Sequence, residues 1–146
     1  MTIRAAKFED VPSMVELLQE LFALEPDFPY RPDLHTQGLE LLLSHSETSV
    51  FVAEKNGMLA GMVTLQPHIS TGFGCKDAIL EDLVVRSSFR SQGLGSALLN
   101  TAVQQAKAKG YKRLRLMADR GNSHALGFYE KHGWYQGNMV NLYCEI

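Results

Sequence analysis

The sequence predicts an α/β fold, a layered sandwich on a mixed sheet. Three observations lead there. Strand-like and helix-like segments follow the order βααββ-βαβαββ along 146 residues. Asn56-Gly57 joins two strand-like runs, a strong hairpin signal. A long helical pattern, with Leu94, Leu98, Ala102 and Ala106 four residues apart, opens on a glycine-rich turn and closes at Gly110.

The elements follow in order. "TIRAA" reads as a first strand. Asp10 is a candidate N-cap, and Val11, Met14, Val15, Leu18 and Phe22 repeat at helical spacing. "ALEPDFPYRPD" holds three prolines, which no regular helix tolerates. Leu34, Leu39, Leu41, Leu42 and Leu43 predict a second helix with Asp33 as its cap. "SVFVAE" and "LAGMVTLQ" flank the hairpin turn, "HISTGFGCKD" reads as a loop or a distorted strand end, and "AILEDLVVR" as a strand. After the long helix, "KRLRLMA" alternates as a strand. "NSHALGFYEKHG" is a short helix opened by Asn122 or Ser123 and closed by Gly133, and "WYQGNMVNLYCEI" reads as two short strands around Gly137-Asn138.

The length suits one domain, residues 1–146, with one core. A net charge of −2 without charge runs argues against nucleic-acid and membrane-surface partners. No apolar stretch reaches the ~20 residues that cross a bilayer, and the start has no signal-peptide core. Cys75 and Cys144 form no CxxC pair, so free thiols and a cytoplasmic location are expected. The five histidines show no HxxxH or HExxH spacing, so no metal site is expected.

The turn "RSQGLGS", residues 90–96, carries the chemistry. It lacks the lysine of a P-loop. It also lacks the third glycine of a dinucleotide loop and the acidic residue about 20 positions on. What remains is R-x-x-G-x-G between a strand and a helix. Helix-opening N–H groups have no intrahelical partner and attract an anion. Glycines admit a diphosphate close to the backbone, and Arg90 adds a charged donor. The same glycines also suit a plain tight turn.

"ILEDLVVRSSFRSQGLGSALL" followed by "NSHALGFYEKHGW" resembles the GNAT superfamily of acyl-CoA N-acyltransferases. The resemblance implies a three-layer α+β sandwich whose mixed, mostly antiparallel sheet carries helices on both faces. It implies acetyl-CoA as co-substrate and no metal. The pyrophosphate would sit on Arg90, Ser91, Gln92, Gly93, Leu94, Gly95 and Ser96. Leu83, Val84 and Val85 would offer backbone to the pantetheine arm, on a strand that splays from its neighbour at a bulge. Asn122 would touch the pantetheine, and Tyr129 would lie near the thioester sulfur.

Acyl transfer to an amine makes three demands. The amine must lose a proton. Holding a lysine-like ammonium neutral at pH 7 costs roughly 4.6 kcal/mol, so a base is needed. Glu81 is favoured, with Asp82 as the alternative. Neighbours on a regular strand face opposite ways, so at most one enters the slot unless a bulge intervenes. The developing oxyanion needs a donor, for which the N–H near Val85 is the candidate. The leaving thiolate needs a proton, which Tyr129 offers. No cysteine lies in a motif position, so direct attack by the amine is expected. Phe28, Tyr30, His68 and Glu81 are the candidate acceptor-binding residues. Glu25 and Asp27 suit a cation, Phe73 a stacking wall, and Arg31 with His68 an anionic group. The expected acceptor is a primary amine of a small molecule. A protein lysine or N-terminus is the alternative, and a non-catalytic acetyl-CoA-binding module is another. Dimers are common in that superfamily, so a homodimer is an option, with "MVNLYCEI" as an exchange or pairing element that no single residue demands.

Overall fold

The computed structural model describes residues 1–146. Strand β1 (Thr2–Ala5) leads to helix α1 (Val11–Phe22) and helix α2 (Pro32–Ser44). Strands β2 (Ser49–Lys55), β3 (Met58–Ser70) and β4 (Cys75–Val85) follow. Helix α3 (Leu94–Ala108), strand β5 (Leu114–Arg115) and helix α4 (Ser123–Lys131) complete the order. The sheet runs β1-β2-β3-β4-β5, antiparallel except for the parallel β4–β5 pair.

Strand alternation divides the core in two. Val50, Val52, Met62 and Val84 face α1 and α2, where Met14, Leu17, Leu18 and Leu39 are buried. Ala53, Val63, Leu65, Ala78 and Leu80 face the opposite side, against Leu94, Leu98, Leu99, Ala102 and Ala106 of α3. Helices therefore cover both faces, as expected. Asn56 and Gly57 take positive φ values of 54° and 75°, the backbone that the tight hairpin turn demands.

Five expectations are corrected. "HISTGFGCKD" is mostly strand: His68 pairs with Asp77 and Ser70 with Cys75, which leaves only Thr71–Gly74 as the turn. Asp10 stands at the head of α1 but does not cap it. Its carboxylate instead accepts from Lys7 N at 2.7 Å and from Arg4 at 2.8 and 2.9 Å. Asp33 lies inside the first turn of α2, with Pro32 at the start and Arg31 outside it. "KRLRLMA" yields only the two-residue β5, because β4 pairs with it at Ala78 and Ile79 alone. The two C-terminal strands are absent. Residues 135–146 pair with no other strand, and an isolated strand has no backbone bonds to hold it.

Candidate active site

The turn between β4 and α3 folds into a row of donors. Ser91 and Gly93 adopt positive φ values of 59° and 83°. No backbone acceptor takes the N–H of Ser91, Gln92, Gly93, Leu94, Gly95 or Ser96, and the first turn of α3 closes only at Ala97 N to Gly93 O, 3.0 Å. Residues alternating in this way turn successive N–H groups into one concavity. A Cβ on Gly93 would meet nothing within 4 Å, so the space beside it is open. These features fit a diphosphate. Lys55, at the end of β2, reaches Gln92 Oε1 and brings a positive charge beside the loop. Arg90 points elsewhere: its Nε donates to Val85 O at 2.9 Å, and its guanidinium lies 3.3 Å from Glu20.

Beside this seat the sheet opens. β4 loses β5 after Ile79, so Leu80–Val85 have no partner on that edge. Arg86 N donates to Ala60 O across β3 at 2.8 Å. Alternation therefore turns the Val85 N–H to the vacant edge. Leu83 and Val85 pack their side chains against the α3 layer, while Val84 is buried on the α1–α2 side. Gly61 lets β3 come close here: a Cβ on it would lie 2.7 Å from Val84 O and 2.9 Å from Leu98 Cδ1. Sequence reasoning missed this glycine, whose only signal is its place inside an apolar strand.

The expected bulge lies at Asp82. Met62 pairs with Val84 and Thr64 with Glu81, so Asp82 and Leu83 together oppose Val63. Asp82 has φ 53°, a strained value for a residue with a side chain. The bulge breaks the alternation, and Glu81 and Asp82 both line one cavity of about 730 Å³ between α2 and the sheet. Thr64 Oγ1 donates to Asp82 Oδ2 at 3.2 Å, and Gln66 Nε2 donates to Glu81 Oε2 at 3.0 Å. Burial, then the adjacent Glu81 charge, pushes the Asp82 carboxyl up to about 7. Glu25, on the α1–α2 connection, is raised by its own burial and then by Glu81, Asp119 and Asp27. The site is thus strongly acidic.

The candidate acceptor residues divide. Glu81 lines the cavity, with Phe22 and His35 on its wall. Phe28 and Tyr30 do not line it but pack behind it, Phe28 on Phe22 at 5.6 Å and Tyr30 on His35 at 5.5 Å between ring centres. His68 is not there. It bonds the buried Asp77 through Nδ1 at 2.9 Å, beyond the cavity lining. Phe73 carries the Arg113 guanidinium at 4.5 Å. Arg31 is paired with Asp33 at 2.9 Å. The two groups expected to hold an anion are therefore already matched by carboxylates. Gln66 and Thr64 were not legible from the sequence, because only the register brings them to the two acids.

Helix α4 supplies the last part. Asn122 caps it, accepting from Ala125 N at 3.0 Å, so its carbonyl oxygen is taken up by the helix. Tyr129 packs on Phe128 and Trp134, with ring centres 5.3 and 5.8 Å away. Burial and then Glu25 push its phenol up to about 12, so it stays protonated at neutral pH. His132 ties α4 to the seat: Nδ1 meets Phe128 O at 2.8 Å, and Nε2 meets Ser96 Oγ at 3.0 Å. With its proton on Nδ1, the ring donates to the carbonyl and accepts from the serine.

Comparison with known proteins agrees with this fold. The model of the acetyltransferase (GNAT) family matches residues 11–134. The N-acetyltransferase YhfO of Bacillus subtilis strain 168 is 30% identical over 148 aligned positions, which cover 99% of this chain and 96% of the relative. An acetyltransferase structure from Clostridium acetobutylicum, determined with acetyl-CoA, superposes with a TM-score of 0.81 at 16% identity, over 97% of this chain and 95% of that one. The aminoglycoside 6'-N-acetyltransferase of Acinetobacter haemolyticus gives 0.83 at 17% identity, over 100% and 99%. Those two likenesses concern the fold.

Proposed function

We propose, from the premise that this chain belongs to the acetyltransferase (GNAT) family and is an acetyl-CoA-dependent acetyltransferase, that it acetylates a primary amine of a small cationic molecule by direct attack in a ternary complex. The observation that carries this reading is the bulge at Asp82. It turns two carboxylates into one cavity next to the unpaired edge of β4.

Acetyl-CoA supplies the activated acetyl group, and the donor row Ser91–Ser96 holds its diphosphate. The Val85 N–H faces the vacant edge, where it stabilises negative charge on the carbonyl oxygen. Asp82 is the base, directly or through one water. Burial, and then the Glu81 charge, keeps the Asp82 carboxyl near neutrality, where a base works best at pH 7. Sequence alone favoured Glu81, with Asp82 as the alternative; the raised Asp82 carboxyl supports the alternative. The acceptor nitrogen gains the acetyl carbon as the carbon–sulfur bond breaks. The amine proton goes to Asp82, and the sulfur takes a proton from Tyr129.

A cationic acceptor is supported by Glu25, Glu81 and Asp82 together. An aminoglycoside antibiotic 6'-N-acetyltransferase has the same fold. We take residues 1–146 as a single domain, with both core layers sharing one sheet. The cytoplasm is the proposed compartment, on its two unpaired cysteines. Thiol release from acetyl-CoA over a library of amino sugars, polyamines, amino acids and lysine peptides tests the reading. Turnover concentrated on small polycationic amines is expected. Turnover on peptides alone would assign a protein acceptor, and binding without turnover on any amine would leave a non-catalytic module.

A further inference from the structure

The cavity that holds Glu81 and Asp82 has a second wall, and that wall is not acidic. Leu34, Gly38, Leu41 and Leu42 of α2 line it, with His45 just past the helix end. They recur at helical spacing and so form one face, about 16 Å long. Leu34 is 50% exposed and Leu41 63%, so the face is apolar and uncovered. An uncovered apolar face inside a cavity of ligand size marks a binding wall.

Gly38 sits between the two leucines. A glycine in mid-helix weakens the helix relative to alanine. The backbone does not require it, because Gly38 is not among the glycines with positive φ. Packing does not require it either: a Cβ there would meet nothing within 4 Å. What the missing side chain leaves is room in the cavity.

The polar side chains of these walls are engaged within the protein. The Thr48 hydroxyl turns to Leu42 O and His45 O. His45 Nδ1 donates to Leu41 O at 2.8 Å, and Glu47 is matched by Lys76. The His35 ring accepts from Arg31 N at 2.8 Å. Burial lowers its pKa, so it carries no charge at neutral pH. A sugar ring would exchange water for few partners here, and unmet hydroxyls are costly. A methylene chain loses no hydrogen bond and gains by leaving water.

We propose that the acceptor carries its reacting amine on an unbranched methylene chain, which lies along α2 over Gly38 while the amine meets Asp82 and Glu81. Linear alkylamines and linear polyamines have such a chain, and amino sugars do not. Gly38 sets the depth of the groove and thereby the choice of acceptor. The inference rests on the acetyl-transfer reading and narrows its acceptor.

Steady-state kcat/KM for ethylamine, butylamine, hexylamine and glucosamine, at saturating acetyl-CoA, tests this. The value is expected to rise about two- to fourfold per added methylene, the worth of burying one, with glucosamine below butylamine. Gly38→Leu fills the groove with a good helix former, so its far-UV circular dichroism should hold. Its hexylamine-to-ethylamine ratio should fall at least about tenfold, as the added methylenes lose their wall. Leu41→Ser, at an exposed position, should lower the same ratio about threefold. A rate flat with chain length, a ratio that neither variant moves, or glucosamine turned over faster than hexylamine would overturn the proposal and leave acetyl transfer standing. No turnover with any amine would overturn both.

Discussion

The two halves of the candidate site are made of different material. The coenzyme side is main chain: six N–H groups in the turn before α3 and the first residues of that helix, and the unpaired edge of β4. The acceptor side is side chains: Glu81 and Asp82, set among Gln66, Phe22 and His35, with the Glu25 carboxyl near enough to feel Glu81. A main-chain seat needs only a backbone path, so it places few demands on residue type beyond glycine where φ is positive. A side-chain pocket depends on which residues the register brings together. The first kind can persist while the second changes, which fits one fold serving many amines.

The largest effect should follow from Asp82. Asp82→Asn is expected to lower kcat by about 10²–10⁴ while coenzyme affinity holds, the usual worth of a general base. It should also stabilise the protein. Burial and Glu81 raise this carboxyl to about 7 in the folded state. The folded chain therefore binds more protons than the unfolded one between the ordinary carboxylate range and pH 7, and the penalty grows as pH rises through that window. Removing the charge should recover roughly 1–2 kcal/mol at pH 7, discounted for partial solvent access. Chemical denaturation at pH 5 and pH 8 measures it. Wild-type kcat should rise with pH and level off above about 7, and Glu81→Gln should shift that limb to lower pH. A flat profile would return the role to another group.

Tyr129→Phe comes next. A loss in kcat of about 10–100-fold is expected, with coenzyme affinity unchanged, if the hydroxyl delivers a proton. A drop in affinity instead would make it part of the seat. The smallest effect is expected far from both halves. Asp10 accepts from Arg4 and Lys7, and Arg4 holds its carboxyl below the ordinary range. Its contribution is complete at neutral pH and is lost as pH falls through that lowered value. Asp10→Asn should cost about 1–3 kcal/mol of stability at pH 7 and leave turnover alone.

The same contrast explains what the sequence disclosed. Gly93, Gly110 and Asn56-Gly57 announced their turns because their backbone angles demand such residues. The long helix followed from its apolar period. Glu81 and Asp82 were visible as acids, but their convergence was not. It rests on a register shift opposite Val63 that no residue spells out. His68 and Arg31 looked free as isolated side chains, and only folding supplied Asp77 and Asp33. Glu25 stood out as an acid among prolines. Its approach to Glu81 and Asp119 depends on where the α1–α2 connection lies. The two missing C-terminal strands had the right alternation, but a strand also needs a neighbour, which alternation does not reveal.

The central claim is that backbone N–H groups at the start of α3 hold a diphosphate. Titration calorimetry with coenzyme A and with pantetheine, which lacks the diphosphate, tests it most directly. Coenzyme A is expected to bind at least about a hundredfold more tightly, equivalent to about 2.8 kcal/mol. Equal affinity for the two, or no heat with either, would contradict it.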